Sequence, residues 1–256
     1  MKKILMIPAL VLGLAFGGTA HATFVSTTSS DGSGRDLDTL LNSTWLVPGG
    51  ATTDIIADQY SPDEVWAIGS TEGSAARLIF EIAGHAGTNS FGIYDVTNPA
   101  NRLQIFSGSS AYNVAPYRGT LWVDGSTFFF DYGHAGIADS ASLTFGSSYF
   151  GYYLYDGTSG RYFYSQSDLN NGDDNMVAYA GQGQRMNWPG RGTSTTWLSN
   201  EILLAFEDLP LRSSDRDYND FLVMVESVHS VPEPGTLALV GLGLLGLGLK
   251  GRRRQA

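Results

Sequence analysis

From residue 77 to residue 227 the chain breaks into short runs of aromatic and β-branched residues, separated by Gly, Asn and Asp. Runs of this length and chemistry, punctuated by turn formers, predict strands. They are "RLIFEIA" (77–83), "FGIYDV" (91–96), "RLQIFS" (102–107), "TLWVD" (120–124) and "STFFFDY" (126–132). The series continues with "SLTFGSSYFGYYLYD" (142–156), "RYFYSQ" (161–166), "NMVAYA" (175–180), "EILLAF" (201–206) and "FLVMVES" (221–227). The last two are so apolar that they read as buried strands. Asp124-Gly125 predicts a tight hairpin, and Asp156-Gly157 opens a longer turn. Helical signals are few. "RDLDTLLN" (35–42) predicts a short helix. "SPDEVWAI" (61–68) predicts a helical turn, with Ser61 as N-cap, Pro62 at the first position and Glu64 closing a capping box. No amphipathic helix of three or more turns occurs. The expected fold is all-β: an antiparallel β-sandwich, jelly-roll-like, with short helical turns near the N-terminus. "GHAGTNSFGIYD" (84–95) is echoed by "GHAG" (133–136) and "SSYFGYYLYD" (147–156), either as a duplicated hairpin unit or as chance in a Gly-rich chain.

Both ends carry a different pattern. Lys2 and Lys3 precede the apolar "ILMIPALVLGLAF", and Ala20-His21-Ala22 supplies an A-x-A cleavage site. Residues 1–22 therefore read as a secretory signal peptide, with Ala20 and Ala22 at the cleavage positions. Residues 23–34 are small and polar, a flexible lead-in to one sandwich domain expected over 35–230. At the other end an apolar run, Thr236 to Leu249, is followed by Lys250, Arg252, Arg253 and Arg254. The run makes about 21 Å of helix against a hydrocarbon core of ~30 Å, so residues from Val231 onward are needed to span it. Its basic cluster would stay cytoplasmic. Motif, helix and basic end over residues 231–256 resemble the PEP-CTERM sorting signal, with Pro232, Glu233 and Pro234 as the sorting motif. The resemblance implies transient anchoring in the inner membrane of a Gram-negative bacterium that makes exopolysaccharide. It also implies processing by an exosortase-type enzyme and release to the cell surface or extracellular matrix. The plainer reading is a simple C-terminal anchor.

Charge narrows the partners. The formal net charge is −10, and all three lysines lie in the end segments. Residues 23–230 hold 9 Arg against 24 Asp and Glu, a net of −15. A nucleic-acid partner needs a basic face and is excluded on that ground. Divalent cations, or simple solubility, fit better. The chain has no cysteine, which excludes thiolate metal sites and cysteine nucleophiles.

The acidic residues concentrate in "AFEDLPLRSSDRDYND" (205–220), where Glu207, Asp208, Asp215, Asp217, Asn219 and Asp220 share one connection between two strands. Crowded carboxylates repel unless a positive charge sits among them. Ca²⁺ takes 6–8 oxygen ligands in a flexible shell, and the alternating Asp215, Asp217 and Asn219 can turn three side chains inward. The spacing is similar to the start of an EF-hand loop. Asp220 stands where that loop has its turn Gly, and the flanks are strands, so this is not an EF-hand. The alternative is that these side chains form Asx-turns and cap backbone groups. A second, weaker loop places Asp168, Asn170, Asp173, Asp174 and Asn175 around Gly172. It reads either as further cation ligands or as ordinary turn chemistry. Residues 142–228 resemble the C-terminal domain of an uncharacterised extracellular bacterial family ending in an F-E-D-L…D-x-D-Y-N-D motif. That motif falls on Phe206, Glu207, Asp208, Asp215, Asp217, Tyr218, Asn219 and Asp220. The resemblance implies a secreted, β-rich, Ca²⁺-dependent domain with no established activity. Relatives have a Gly-rich turn where this chain has Leu211-Arg212-Ser213-Ser214.

A tyrosine-rich hairpin offers a rival function. Tyr149, Tyr153 and Tyr155 share one strand face, and Phe150, Tyr152 and Leu154 the other. Tyr162 and Tyr164 can join the first set across the turn. If exposed, Tyr153, Tyr155, Tyr162 and Tyr164 would stack on sugar rings as in a lectin-like module; if buried, they pack between sheets. Enzymatic signals are absent. There is no H-E-x-x-H and no G-x-S-x-G, and His85, His134 and His229 are far apart. The expectation is a non-enzymatic, Ca²⁺-stabilised surface or matrix protein, with a lectin-like module next and a polysaccharide hydrolase third.

Overall fold

The computed structural model describes residues 36–69, 74–81, 88–107, 118–132, 140–189 and 191–232. The signal peptide with Ala20 and Ala22, the lead-in, both "GHAG" stretches, Glu233, Pro234 and the apolar tail lie outside the described residues.

Two antiparallel sheets face each other. The first contains β1 (Trp66–Ile68), β3 (Ser90–Asp95), β4 (Asn98–Ser107), β8 (Phe150–Asp156), β9 (Arg161–Tyr164) and β15 (Val228–Ser230). The second contains β2 (Ser74–Glu81), β5 (Arg118–Asp124), β6 (Thr127–Tyr132), β7 (Ser140–Thr144), β10 (Met176–Ala180), β13 (Glu201–Phe206) and β14 (Phe221–Glu226). Strand order is β15-β1-β8-β3-β4, with β9 also on β8, against β10-β13-β14-β2-β5-β6-β7. A small hairpin of β11 (Arg185–Met186) and β12 (Thr195–Thr196) stands apart. The pairs β1 with β15, β2 with β14, β3 with β8 and β5 with β6 nest inside one another in sequence. That nesting is the connectivity of a jelly roll, here widened by extra strands.

Alternation builds the core between the sheets. Phe91, Ile93, Phe150, Tyr152 and Leu154 point inward from the first sheet and meet Phe128, Phe130, Leu204, Phe206, Phe221 and Val223 from the second. Each such side chain contributes about 1.5–3 kcal/mol of burial. A second core explains the unbroken apolar runs. On the outer face of β10, β13 and β14, Val177, Tyr179, Leu203, Ala205, Leu222 and Met224 are covered by Leu37, Leu40, Trp45, Trp188 and Trp197. Strand β13 is thus buried along its whole length. The expected N-terminal helix is what covers it: α1 (Leu37–Thr39) continues as a wider helical turn over Leu40–Thr44, and Asp36 caps it by accepting from Thr39 N–H at 2.7 Å.

Two expectations are corrected. "SPDEVWAI" forms no helical turn; Trp66–Ile68 is strand β1, bound to β15. Glu64 does not close a capping box. Its carboxylate accepts from Ser167 N–H and Ser167 Oγ, at 3.2 and 2.7 Å. Burial of Val65 and Trp66 in the sandwich outweighs the local helix signal. The run 142–156 is not one strand. It divides at Phe145–Tyr149 into β7 and β8, which lie in opposite sheets, and Gly146 N–H donates to Asp95 Oδ2 at 2.7 Å where the chain crosses. The internal echo acquires a physical basis in β3 and β8. Gly92 lies opposite Tyr153 and Tyr94 opposite Gly151. A Cβ at Gly92 would come within 2.8 Å of the Tyr153 ring, and one at Gly151 would collide with Tyr94. The repeated F-G-x-Y therefore packs against itself across the ladder.

Candidate metal centre

Strands β13 and β14 pair from Glu201↔Glu226 to Phe206↔Phe221, so residues 207–220 form the loop that closes this hairpin. Glu207 continues the sheet edge, its N–H donating to Asn175 O at 3.0 Å. The loop turns at Pro210, whose carbonyl accepts from Ser213 N–H and Ser214 N–H. Arg212 in this turn is exposed, while Arg216 Nε donates to Leu211 O at 2.9 Å. Arg216 and Tyr218 then adopt φ of 60° and 53°. Left-handed backbone is uncommon for bulky residues and costs on the order of 1–3 kcal/mol at each. Tyr218 holds the strained segment in place. It is fully buried in the second core, its hydroxyl donates to Asp174 O at 2.6 Å, and its N–H donates to Glu207 Oε1 at 2.7 Å. Leu37 N–H donates to Asp217 O at 3.0 Å, which ties the N-terminal helix to the same loop.

The curled backbone gathers carboxylates. One oxygen each from Glu207, Asp215 and Asp217 lie within 4.8 Å of one another. Glu207 is 0 % exposed and Asp217 1 %, while Asp215 is half-buried. Asn219 braces Asp217 through its N–H at 3.2 Å and its Nδ2 at 2.7 Å. Asp208 N–H donates to Asp220 Oδ2 at 2.9 Å. The sequence-predicted six thus occupy one corner of the sandwich. Among the described residues, Glu207 Oε2 is buried and makes no hydrogen bond of standard geometry, although the nearby Ser214 hydroxyl favours its ionised form. Burial pushes the Glu207 carboxyl up to about 7, and Asp215 and Asp208 add to the rise against the Tyr218 N–H. Burial, then Asp208 and Glu207, hold Asp220 well above the ordinary range. Charges act here mainly as mutual repulsion, and the donors are all oxygen. That set fits a hard divalent cation such as Ca²⁺.

The weaker loop divides. Asp168 is exposed on a short helical turn, and Asp173 is half-buried. Asn170 engages the backbone of Tyr164 with both ends of its amide, at 2.9 and 2.7 Å, which makes it a structural brace. Asp174 is buried, and burial followed by the Glu64 charge raises its carboxyl to about 7. Asp63 is raised as well, by burial, Asp174 and Glu64. This Asp63–Glu64–Asp174 group was not foreseen, because the capping-box reading took Glu64 and gave Asp63 no role. Asn89 was missed too. It is fully buried and donates Nδ2 to Asp208 Oδ2 at 3.1 Å, a contact over 119 residues that no local spacing signals.

The four tyrosines come together on the outer face of the first sheet, with Tyr153 opposite Tyr164 and Tyr155 opposite Tyr162. Tyr155 and Tyr162 lie 4.5 Å apart, and Tyr162 and Tyr164 stack at 6.0 Å. The Arg102 guanidinium sits 3.8 Å over the Tyr162 ring and donates to the Tyr164 hydroxyl at 3.1 Å. Tyr153 is buried. The rings pack largely on one another and on Arg102.

Comparison with known proteins places the chain in a class. Residues 230–254 match the PEP-CTERM protein-sorting motif, so this is an exported protein that exosortase recognises and directs to the cell surface. Residues 144–228 match a domain of unknown function, DUF4114. No curated protein and no solved structure matches the chain significantly. The DUF4114 match contains the acidic loop but not β2 or β3, which pair with β14 and β8 inside the two sheets. Among the described residues, no helix is long and apolar enough to cross a membrane.

Proposed function

We propose that this exported protein is a structural or adhesive component of the cell surface, in which Ca²⁺ bound at the 207–220 loop fixes one end of the sandwich. The role is non-catalytic, and the setting is the exopolysaccharide matrix of a Gram-negative bacterium. The observation that carries the reading is the convergence of Glu207, Asp215 and Asp217 at a largely buried point, within 4.8 Å. Two unit charges at that separation repel by about 3–4 kcal/mol at an effective dielectric constant of ~20. A divalent cation turns this cost into ligation, and it locks the strained backbone at Arg216 and Tyr218. Strand ends β13 and β14 and the N-terminal helix then hold one geometry while the protein is displayed outside the cell.

Calorimetric titration of the full chain in mild detergent with CaCl₂ tests the proposal. Extracellular Ca²⁺ modules bind with Kd of about 0.1–1 mM. The native chain is expected in that range, and Asp217→Ala at least tenfold weaker. A native chain that takes up no Ca²⁺ at millimolar concentration refutes the proposal.

A further inference from the structure

Among the described residues, Asn89 Oδ1 and Asn175 Oδ1 are buried in this corner without a hydrogen bond. Such orphaned acceptors are rare and cost about 1–3 kcal/mol each. Both side chains are held against residue 208. Asn89 comes from the first sheet, immediately before β3, and its Nδ2 donates to Asp208 Oδ2 at 3.1 Å. Asn175 comes from the second sheet, before β10. Its Nδ2 donates to the carbonyls on either side of Asp208, Glu207 O at 3.5 Å and Leu209 O at 2.7 Å. Asp208 and Asp220 are themselves buried, at 4 % and 8 % exposure, joined by the Asp208 N–H. Neither belongs to the Glu207–Asp215–Asp217 trio.

We infer that the loop holds two divalent cations, the second of them between Asp208, Asp220 and Asn89, where it bridges the two sheets. This rests on the proposal that the loop binds Ca²⁺. The chemistry is that of a hard-cation site: carboxylates supply the charge, and amide oxygens fill the shell. Asn89 is the element that local sequence does not supply. It brings a ligand from the residue before β3 to a loop that otherwise belongs to β13 and β14, so the second ion acts as a staple between sheets.

Equilibrium dialysis of the full chain against CaCl₂, with bound metal counted by mass spectrometry, tests the inference. The native chain is expected to hold two ions, Asn89→Leu one, and Glu207→Gln one. Asn89→Asp, which restores an oxygen ligand, is expected to hold two. It carries the test if Asn89→Leu does not fold: in that case, fewer than two ions on Asn89→Asp overturns the inference. One ion on the native chain, unchanged in Asn89→Leu, overturns the second site and leaves the first standing. Loss of both ions in a folded Asn89→Leu also overturns it, because it makes the corner a single site. No ion on the native chain removes the underlying proposal together with the inference.

Discussion

Replacing Glu207 with Gln isolates the electrostatics of the loop. Gln keeps an oxygen for the Tyr218 N–H and nearly the same volume, but removes the charge. Burial, reinforced by Asp215 and Asp208, moves the Glu207 pKa from 4.5 to about 7. Each pH unit is worth about 1.4 kcal/mol, so the ionised group costs the metal-free fold on the order of 3 kcal/mol. The sign follows from proton binding. Between those two values the folded chain keeps a proton that the unfolded chain releases, so stability falls as pH rises. Below pH 4.5 there is no penalty, and above about 7 it is constant. In EDTA at pH 8, Glu207→Gln is therefore expected to raise the thermal midpoint by roughly 6–12 °C for a domain of this size. At pH 4 the two chains should melt together. In 2 mM Ca²⁺ at pH 8 the gain should shrink to roughly 2–5 °C, because the native carboxylate then faces a cation and recovers about 1.8 kcal/mol. Differential scanning calorimetry at the two pH values, with and without Ca²⁺, reads all of this. A Glu207→Gln chain no more stable than native in EDTA at pH 8 would show that the buried carboxylate carries no such penalty, and an equal gain in Ca²⁺ and in EDTA would show that it meets no cation.

Two further substitutions test the frame around the loop. Tyr218→Phe removes the 2.6 Å hydrogen bond to Asp174 O and leaves a buried carbonyl short of its donor, so urea unfolding should show a loss of about 1–3 kcal/mol; an unchanged urea midpoint would show that Tyr218 does not anchor the loop. Gly151→Ala drives a methyl group into the Tyr94 ring and should cost about 1–3 kcal/mol by the same measurement. Wild-type stability there would dismiss the reciprocal Gly–Tyr packing of β3 and β8.

How much was legible depended on the range over which each signal acts. The core of every predicted strand was readable, because period-two alternation and turn residues such as Asp124-Gly125 are local, and Gly125 takes the left-handed φ of 61° its hairpin requires. The sheet to which each strand goes was not readable. "SLTFGSSYFGYYLYD" looks continuous in sequence, yet it crosses from one sheet to the other at Gly146, where the partner group is Asp95, 51 residues away. Strand β1 was hidden by a capping pattern, and β15 by its three-residue length. At the site the loop residues were legible because Glu207 to Asp220 are close along the chain. Asn89 and the Asp63–Glu64–Asp174 group were not, since only the folding of distant segments onto this corner assembles them.

The central question is whether Ca²⁺ stabilises the fold through the 207–220 loop. Thermal unfolding of the full chain in 2 mM Ca²⁺ and in excess EDTA at pH 7.5, with Asp217→Ala alongside, decides it. A Kd of ~0.1 mM gives about 1.8 kcal/mol of stabilisation. For a domain of this size that is a midpoint shift of roughly 4–7 °C. The expected result is a shift of at least that size in the native chain and a clearly smaller one in Asp217→Ala. Superimposed melts of the native chain in Ca²⁺ and EDTA would contradict it, leaving the buried carboxylates as turn and capping groups alone.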